Sequence, residues 1–226
     1  MGRSFRIPFL PGLPHVAPPG PSERAPIASE LVTYENRRGQ RIVGFHDFAP
    51  TAGRDHPWVI VLPGYGETKT DVLAAAFYLA KNGFHTLRFD YADHIGESDG
   101  EIQTTTLTKL KDDILSAVDY LHRRHRPKAV GAVASSLACR ALLRAAVEDD
   151  RLGLLVNFVS IVDLRKTLCA IYQEDHLESA REGLRRGVMD VLGFQVDADH
   201  FLGSAIADRY ADLSTTLDDV GRIRAP

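Results

Sequence analysis

Apolar residues in this chain gather into short runs separated by amphipathic stretches. Two β-rich runs, at 31–35 and 40–48, flank a turn signal at 36–39 and predict a hairpin. Further runs, almost wholly apolar, are typical of strands covered on both faces: 58–62, 84–89, 128–134 and 154–162. Stretches with helical spacing lie between the strands, at 69–82, 107–121 and 137–148. Because strand and helix alternate, the sequence predicts an α/β fold with a mostly parallel sheet and helices on both faces.

The pattern changes on both sides of this alternating region. Seven of the twelve prolines lie within the first 26 residues, so we expect residues 1–28 to form a proline-rich arm, either a disordered leader or a segment lying across the body. Residues 29–226 are predicted to form the α/β domain. Between about 164 and 219 the alternation stops and amphipathic helical segments follow one another, most clearly at 177–191 and 204–220, which indicates a helical lid insertion. The last five residues resemble the lead into another strand, and we therefore expect the C-terminal strands to be missing.

Composition narrows the class of protein. With 44% hydrophobic and 25% charged residues the chain falls among soluble globular proteins, and its net charge of −3 argues against nucleic-acid binding. Cys139 and Cys169 form no CxxC pair, so neither a disulfide framework nor a cysteine zinc site is predicted, and we expect a cytoplasmic protein. The longest apolar runs are too short to cross about 30 Å of hydrocarbon, so no membrane span is expected.

The segment Ala134-Ser135-Ser136-Leu137-Ala138 lies where a predicted buried strand meets a predicted helix. This arrangement is typical of a nucleophile elbow, in which a serine occupies a sharp turn and the residues two before and two after it must be small. Around Ser136 these residues are Ala134 and Ala138, whereas around Ser135 they would be a valine and a leucine. The sequence therefore predicts Ser136 as a catalytic nucleophile, the alternative being a pair of ordinary helix-capping serines.

A serine nucleophile of this kind needs backbone donors for the oxyanion of its tetrahedral intermediate. In an elbow one donor is the amide of the next residue, here Leu137, and the other comes from an earlier loop. The glycine-rich loop 63–67 follows strand 58–62, and we expect it to supply the amide of Tyr65. Taken alone, this loop is more typical of an ordinary glycine turn, and it is the pairing with the elbow that favours the oxyanion role.

A polar loop at 90–100 follows the next strand. We interpret Asp90 and Asp93 mainly as structural residues that hold a tight loop, with a direct catalytic role for His94 as the alternative. No HExxH or similar pairing supports a metal site, and no cofactor is predicted. A basic cluster, Arg123, Arg124, Arg126 and Lys128, is interpreted as a solvated helix end, or alternatively as a docking site for an acidic carrier protein.

Over roughly residues 31–220 the chain resembles the acyl-carrier-protein thioesterases of bacterial luminescence, the acyl-transferase component of the fatty acid reductase complex in the α/β-hydrolase superfamily. The resemblance is carried by residues 78–85, Arg88, Asp90, 94–102, 134–137, 162–168 and 214–217. It implies that Ser136 accepts an acyl group from a fatty acyl thioester, either acyl-carrier protein or acyl-CoA. It also implies that Tyr65 and Leu137 line the oxyanion hole and that the lid covers a fatty acyl channel.

The sequence predicts an incomplete triad around Ser136. Hydrolases of this type order their triad as serine, acid, histidine, and after Ser136 the only histidines are His176 and His200, both in the predicted lid. Asp163 follows a strand and could serve as an acid, although a capping role is preferred. Three readings therefore stay open: a serine acyl thioesterase or acyltransferase, a small-molecule ester or amide hydrolase of the same fold, and a non-catalytic fragment that lacks its acid and base.

Overall fold

The computed structural model describes residues 26–53 and 55–225, so nearly all of the predicted arm lies outside the described residues. The main sheet contains six strands, β1 Ala28–Glu35, β2 Arg41–Phe48, β3 Trp58–Leu62, β4 His85–Phe89, β5 Val130–Ser135 and β6 Leu152–Phe158. Their spatial order is β1-β2-β4-β3-β5-β6. The β1–β2 hairpin is antiparallel and joins β4 antiparallel, while β4, β3, β5 and β6 run parallel. The predicted mostly parallel α/β sheet is confirmed.

Helices cover both faces of this sheet, because the central strands are buried on both faces. The helices between strands are α1 Leu73–Lys81, α2 Leu107–His125 and α3 Ser136–Glu148. On β3, Ile60 and Leu62 belong to the larger core cluster, which includes the apolar stripes of α2 and α3. Val59 and Val61 point to the opposite face and pack with Ala76 of α1. The sheet is therefore buried on both sides, which explains why its central strands are almost continuously apolar.

The lid, residues 164–219, differs from the helical insertion that the sequence predicts. It contains α4 Leu164–Tyr172, α5 His176–Arg181, a two-stranded hairpin of β7 Val188–Val191 and β8 Phe194–Asp197, α6 Ala198–Ala207 and the start of α7 Leu213–Arg222. The predicted helix at 177–191 is wrong, because α5 ends before Gly183 and Gly187, both of which adopt positive φ. The predicted helix at 204–220 is two helices, interrupted near Arg209, which is in the left-handed region (φ 60°).

The parallel strands place three loops at the same edge of the sheet. These loops follow β3, β4 and β5, and the lid folds over this edge after β6. Crevices at the carboxyl ends of parallel strands are where open α/β sheets bind ligands. The candidate site is therefore expected at this edge, beneath the lid.

Candidate active site

Ser136 has the backbone conformation of a nucleophile elbow. It is the first residue of α3, directly after β5, and its φ is 53°, in the left-handed region that a serine rarely adopts. Ala134 and Ala138, two residues before and after it, are buried at the junction of strand and helix. A larger side chain at either position would meet the closely packed backbone there.

The two adjacent serines lie in different surroundings. Ser136 lines a cavity beneath the lid. Ser135 instead lies beside the loop after β3. Its Oγ is so close to Gly64 that a Cβ added at Gly64 would lie 3.2 Å from it. This arrangement supports Ser136, rather than Ser135, as the candidate nucleophile.

The loop after β3 leaves one amide free at its centre. The Gly64 amide donates a hydrogen bond of 2.6 Å to the Glu67 carboxylate, and the Gly66 amide donates one of 3.4 Å to His94 Nε2. Between them, the Tyr65 amide has no acceptor within the described part of the chain. The Leu137 amide lies in the first turn of α3, where no helical carbonyl accepts a hydrogen bond. Both predicted oxyanion donors are thus compatible with the geometry.

The Tyr65 side chain joins this loop to the lid. Its hydroxyl donates a 3.0 Å hydrogen bond to the carbonyl of Val191 in β7, and its ring packs edge-on against Phe194 of β8. Burial raises the pKa of Tyr65 to about 12, so the hydroxyl stays a donor over the physiological range. The β7–β8 hairpin is therefore fixed directly above the candidate oxyanion loop.

The cavity beneath the lid is almost entirely apolar. It holds about 740 Å³ of empty space, part of it open to solvent, between the elbow and the lid. Its walls come from the elbow, the loops after β3 and β6, the hairpin and helices α4, α5 and α6. The aliphatic and aromatic lining includes Ile161, Leu164, Leu168, Ile171, Met189, Val191, Leu192, Val196, Phe201 and Leu202. Such a lining favours an alkyl chain over a polar ligand.

The loop after β4 serves mainly as structural support. Asp90 is fully buried and accepts hydrogen bonds from the backbone amides of Lys69 and Glu97, while the Lys69 ammonium lies 2.5 Å from its carboxylate. His94 packs edge-on against Tyr65 and accepts the Gly66 amide, and burial lowers its pKa to about 4. A neutral His94 that accepts a backbone hydrogen bond can position the Tyr65 loop, which accords with a structural role.

No base contacts the candidate nucleophile in the described part of the chain. Among those residues, no imidazole or carboxylate forms a hydrogen bond with Ser136 Oγ. Asp163 caps α4 by accepting the Lys166 amide at 3.0 Å, as preferred on sequence grounds, and His200 is exposed on α6. His176, by contrast, lines the same cavity as Ser136. The sequence identified His176 only by elimination, because nothing in its local pattern shows that α5 turns it toward the cavity.

The basic cluster lies at the opposite end of the sheet from the elbow. Its residues surround the C-terminus of α2 and precede β5, whereas Ser136 follows β5. A six-residue strand spans about 20 Å, which separates the cluster from the elbow. The described residues also contain no group of three or more His, Cys, Asp or Glu side chains arranged to hold a metal. No helix in the described ranges is both long and apolar enough to cross a membrane.

Solved structures with similar folds define the class. The esterase Pf2001 from Pyrococcus furiosus aligns with a TM-score of 0.60 at 16% identity, covering 88% of this chain and 69% of the esterase. Est1E from Butyrivibrio proteoclasticus, solved with ferulic acid bound, aligns with a TM-score of 0.66 at 16% identity over 86% of each chain. At such identities the likeness establishes the fold alone: this is an α/β-hydrolase fold.

The family follows from the sequence comparisons. The acyl transferase family model matches residues 41–226, and the chain belongs to this family. Curated relatives include acyl transferases of Photobacterium phosphoreum, 27% identical, and of Shewanella woodyi and Photorhabdus luminescens, each 29% identical; each alignment covers 74% of this chain and 54% of the relative. The chain therefore spans about half the length of the curated relatives it matches.

Proposed function

We propose that this chain carries the nucleophile and acyl pocket of a serine-dependent acyltransferase or thioesterase acting on fatty acyl thioesters of coenzyme A or an acyl carrier protein. The Ser136 oxygen forms a bond to the thioester carbonyl carbon, and the oxyanion is held by the Tyr65 and Leu137 amides. The carbon–sulfur bond then breaks, and the thiol leaves with the proton that the serine lost. Water or an acceptor alcohol or thiol afterwards takes the acyl group from Ser136.

One observation supports this proposal most strongly: the left-handed Ser136 lies at the floor of an almost wholly apolar cavity. Backbone strain of this kind persists where function maintains it. The apolar walls account for the acyl chain, and membership of the acyl transferase family supports acyl transfer.

A second candidate function is acyl binding without turnover. It is favoured by the lack of any base at Ser136 Oγ in the part of the chain that the structure describes. A serine hydroxyl without a base is a poor nucleophile, and losing a triad member lowers kcat by about 10⁴ to 10⁶. A hydrolase of small esters or amides is a third possibility of the same fold.

A cysteine variant tests the nucleophile without requiring a base, because a thiol is partly ionised near neutral pH. Ser136→Cys and its matched control Ser135→Cys are incubated with decanoyl and acetyl thioesters of N-acetylcysteamine. Peptide mass spectrometry then locates the acyl group, which also separates position 136 from Cys139 and Cys169. We expect decanoylation of Ser136→Cys at position 136 at least about tenfold faster than that of Ser135→Cys at position 135.

The outcomes separate the candidates. Equal acylation at positions 135 and 136 would overturn the nucleophile assignment. Preference for the acetyl thioester would favour the small-molecule hydrolase. Acylation of Ser136→Cys combined with no acyl transfer by the unchanged serine would favour acyl binding without turnover by this chain.

A further inference from the structure

His176 is a buried polar side chain that the proposed reaction does not use. It is the first residue of α5 and lines the cavity that Ser136 also lines. Its side chain is 6% exposed, and neither ring nitrogen has a hydrogen-bond partner among the described residues. Burying an imidazole with both nitrogens unpaired weakens a fold, so such a group in a cavity wall calls for a ligand.

The charged groups near His176 do not form hydrogen bonds with its ring nitrogens, because they are paired with other residues. The Glu174 carboxylate is the nearest, 3.7 Å from Nδ1, which exceeds hydrogen-bond distance, and it is bound by the Arg186 guanidinium. Asp175 caps α5 by accepting the Glu178 amide and also pairs with Arg165. The Tyr172 ring, 4.8 Å away between centroids, packs against the imidazole without offering it a hydrogen bond.

Other polar groups in the cavity wall have partners inside the protein. The Tyr65 hydroxyl donates to the Val191 carbonyl, and the Thr167 hydroxyl donates to the Asp163 carbonyl at 2.8 Å. Ser136 is assigned to the thioester carbonyl. His176 is therefore the group left to recognise a polar atom elsewhere on an acyl chain.

The hydrogen-bonding capacity of the imidazole ring indicates which polar group on the acyl chain His176 recognises. Burial lowers the pKa of His176, so the imidazole is neutral and offers one donor and one acceptor. A hydroxyl group complements both, whereas a ketone or carboxylate oxygen can only accept and leaves the other ring nitrogen unpaired. Both ring nitrogens are buried in the wall in the described rotamer. A half-turn about the Cβ–Cγ bond exchanges nitrogen positions with ring-carbon positions and would turn the nitrogens toward the cavity.

We infer that the cavity takes a hydroxylated acyl chain, whose hydroxyl is hydrogen-bonded by His176 while its carbonyl lies at Ser136. This inference rests on the proposed function, since it assumes that the cavity holds the acyl group. The residue acts as a specificity determinant and has no part in bond making or breaking.

Binding of uncleaved esters tests the inference independently of turnover. In a Ser136→Ala background, methyl octanoate and its hydroxyoctanoate isomers compete with 1-anilinonaphthalene-8-sulfonate for the cavity. We expect at least one hydroxy isomer to bind on the order of tenfold more tightly than methyl octanoate, the effect of one added hydrogen bond. His176→Phe, which keeps ring size and removes both nitrogens, should abolish that preference, and His176→Gln should keep part of it. His200→Phe, on the exposed face of α6, is the matched control and should change nothing.

Thermal melting distinguishes a ligand-binding role of His176 from a structural role, because the two roles predict different changes in the Tm of His176→Phe. Removing unpaired nitrogens should leave the Tm of His176→Phe equal to or above that of the unchanged chain, whereas a structural hydrogen bond would make it fall. The inference is overturned if hydroxy isomers bind no better than methyl octanoate while methyl octanoate itself binds. It is also overturned if His176→Phe lowers the Tm without altering the preference. Failure of every ester to bind overturns both the acyl cavity of the proposed function and this inference.

Discussion

The conformation of Ser136 links local strain to the candidate chemistry. A left-handed residue other than glycine is less stable by roughly 1–2 kcal/mol, and α3 begins at this residue. Ser136→Gly should therefore raise the free energy of unfolding by about 0.5–1 kcal/mol while removing the candidate nucleophile. Urea denaturation measures the change. Ser135→Gly, at an extended position (φ −125°), should instead lower it by a similar amount; a loss of stability in both variants would contradict the strain argument.

The loop beneath the hairpin requires glycine at position 66, because there is no room for a side chain there. Its φ is 74°, and a Cβ there would lie 2.7 Å from the Phe194 ring of the hairpin. We expect Gly66→Ala to lower the free energy of unfolding by about 2–3 kcal/mol, from the left-handed backbone and the displaced ring together. Gly203→Ala in α6 is the matched control, because nothing lies within 4 Å of its added Cβ, and it should be neutral or stabilising by up to about 1 kcal/mol. Thermal denaturation of both variants distinguishes local clash from a general intolerance of alanine.

At the scale of elements, sequence periodicity predicts the sheet well and the lid poorly. Strands such as 58–62 are specified by continuous burial on two faces, and the predicted and observed bounds agree. The lid hairpin escaped prediction because its turn residues, Leu192 and Gly193, both adopt positive φ, a two-residue turn for which Asn-Gly is the usual sequence signal. The elbow could be found because it depends on small residues at fixed spacing. The unpaired His176 could not be found, since its surroundings come from distant parts of the chain.

A buried ion pair joins the candidate nucleophile helix to the last lid helix. Arg140 of α3 and Asp219 of α7 are both fully buried and lie 2.7 Å apart, with the guanidinium over the Tyr210 ring. The Arg144 Nε atom also lies 3.3 Å from the Asp219 carboxylate, so removing Asp219 leaves the buried Arg140 and the largely buried Arg144 without their shared counter-charge. Asp219→Asn should therefore lower the free energy of unfolding by about 3–5 kcal/mol, as measured by denaturant titration.

Two further variants make this prediction specific. The double variant Arg140→Met with Asp219→Leu replaces both charges by apolar groups and should recover most of the loss. Asp218→Asn breaks the neighbouring exposed pair with Arg209 and should change stability by less than about 1 kcal/mol. A loss for Asp218→Asn as large as that for Asp219→Asn would show that α7 tolerates no change of charge at all.

For the whole molecule, the sheet ends on a strand with an apolar flank. Within the described ranges β6 pairs only with β5, and Phe158 at its end and Val159 just after it are 56% and 89% exposed. Exposed apolar residues at a free sheet edge favour pairing with another chain. Stability measurements on this protein should therefore be made over a range of concentrations, so that association is separated from folding.

Buried neutral histidines set how the whole fold responds to acid. His46 lies on β2, between β1 and β4 in the sheet, and its Nε2 pairs with His85 Nδ1 at 3.0 Å. The carbonyl of Gly53 can only accept, so the proton on His85 is at Nε2 and His46 donates to Nδ1. Burial, with His85 beside it, lowers the pKa of His46 to about 4, and burial does the same for His94. Both rings are therefore held neutral by the folded structure.

The direction of the pH dependence follows from these pKa values. As pH falls through 6.5 the unfolded chain takes up protons at these two positions, whereas the folded chain does so only near pH 4. Their contribution to stability is complete above about pH 6.5 and is lost between pH 6.5 and 4, by roughly 3 kcal/mol for each histidine. Asp113, whose pKa burial raises to about 7, acts in the opposite sense, and the two histidines outweigh it. We therefore expect the free energy of unfolding to decrease as the pH is lowered from 6.5 to 4, as measured by urea titration at successive pH values.

Two variants test the role of His46. His46→Gln keeps a donor toward His85 without a titrating ring, so its pH profile should be flatter, while the profile of the exposed His200→Gln should match that of the unchanged chain. An unchanged slope in His46→Gln would show that the fold does not hold His46 neutral, which would contradict its lowered pKa.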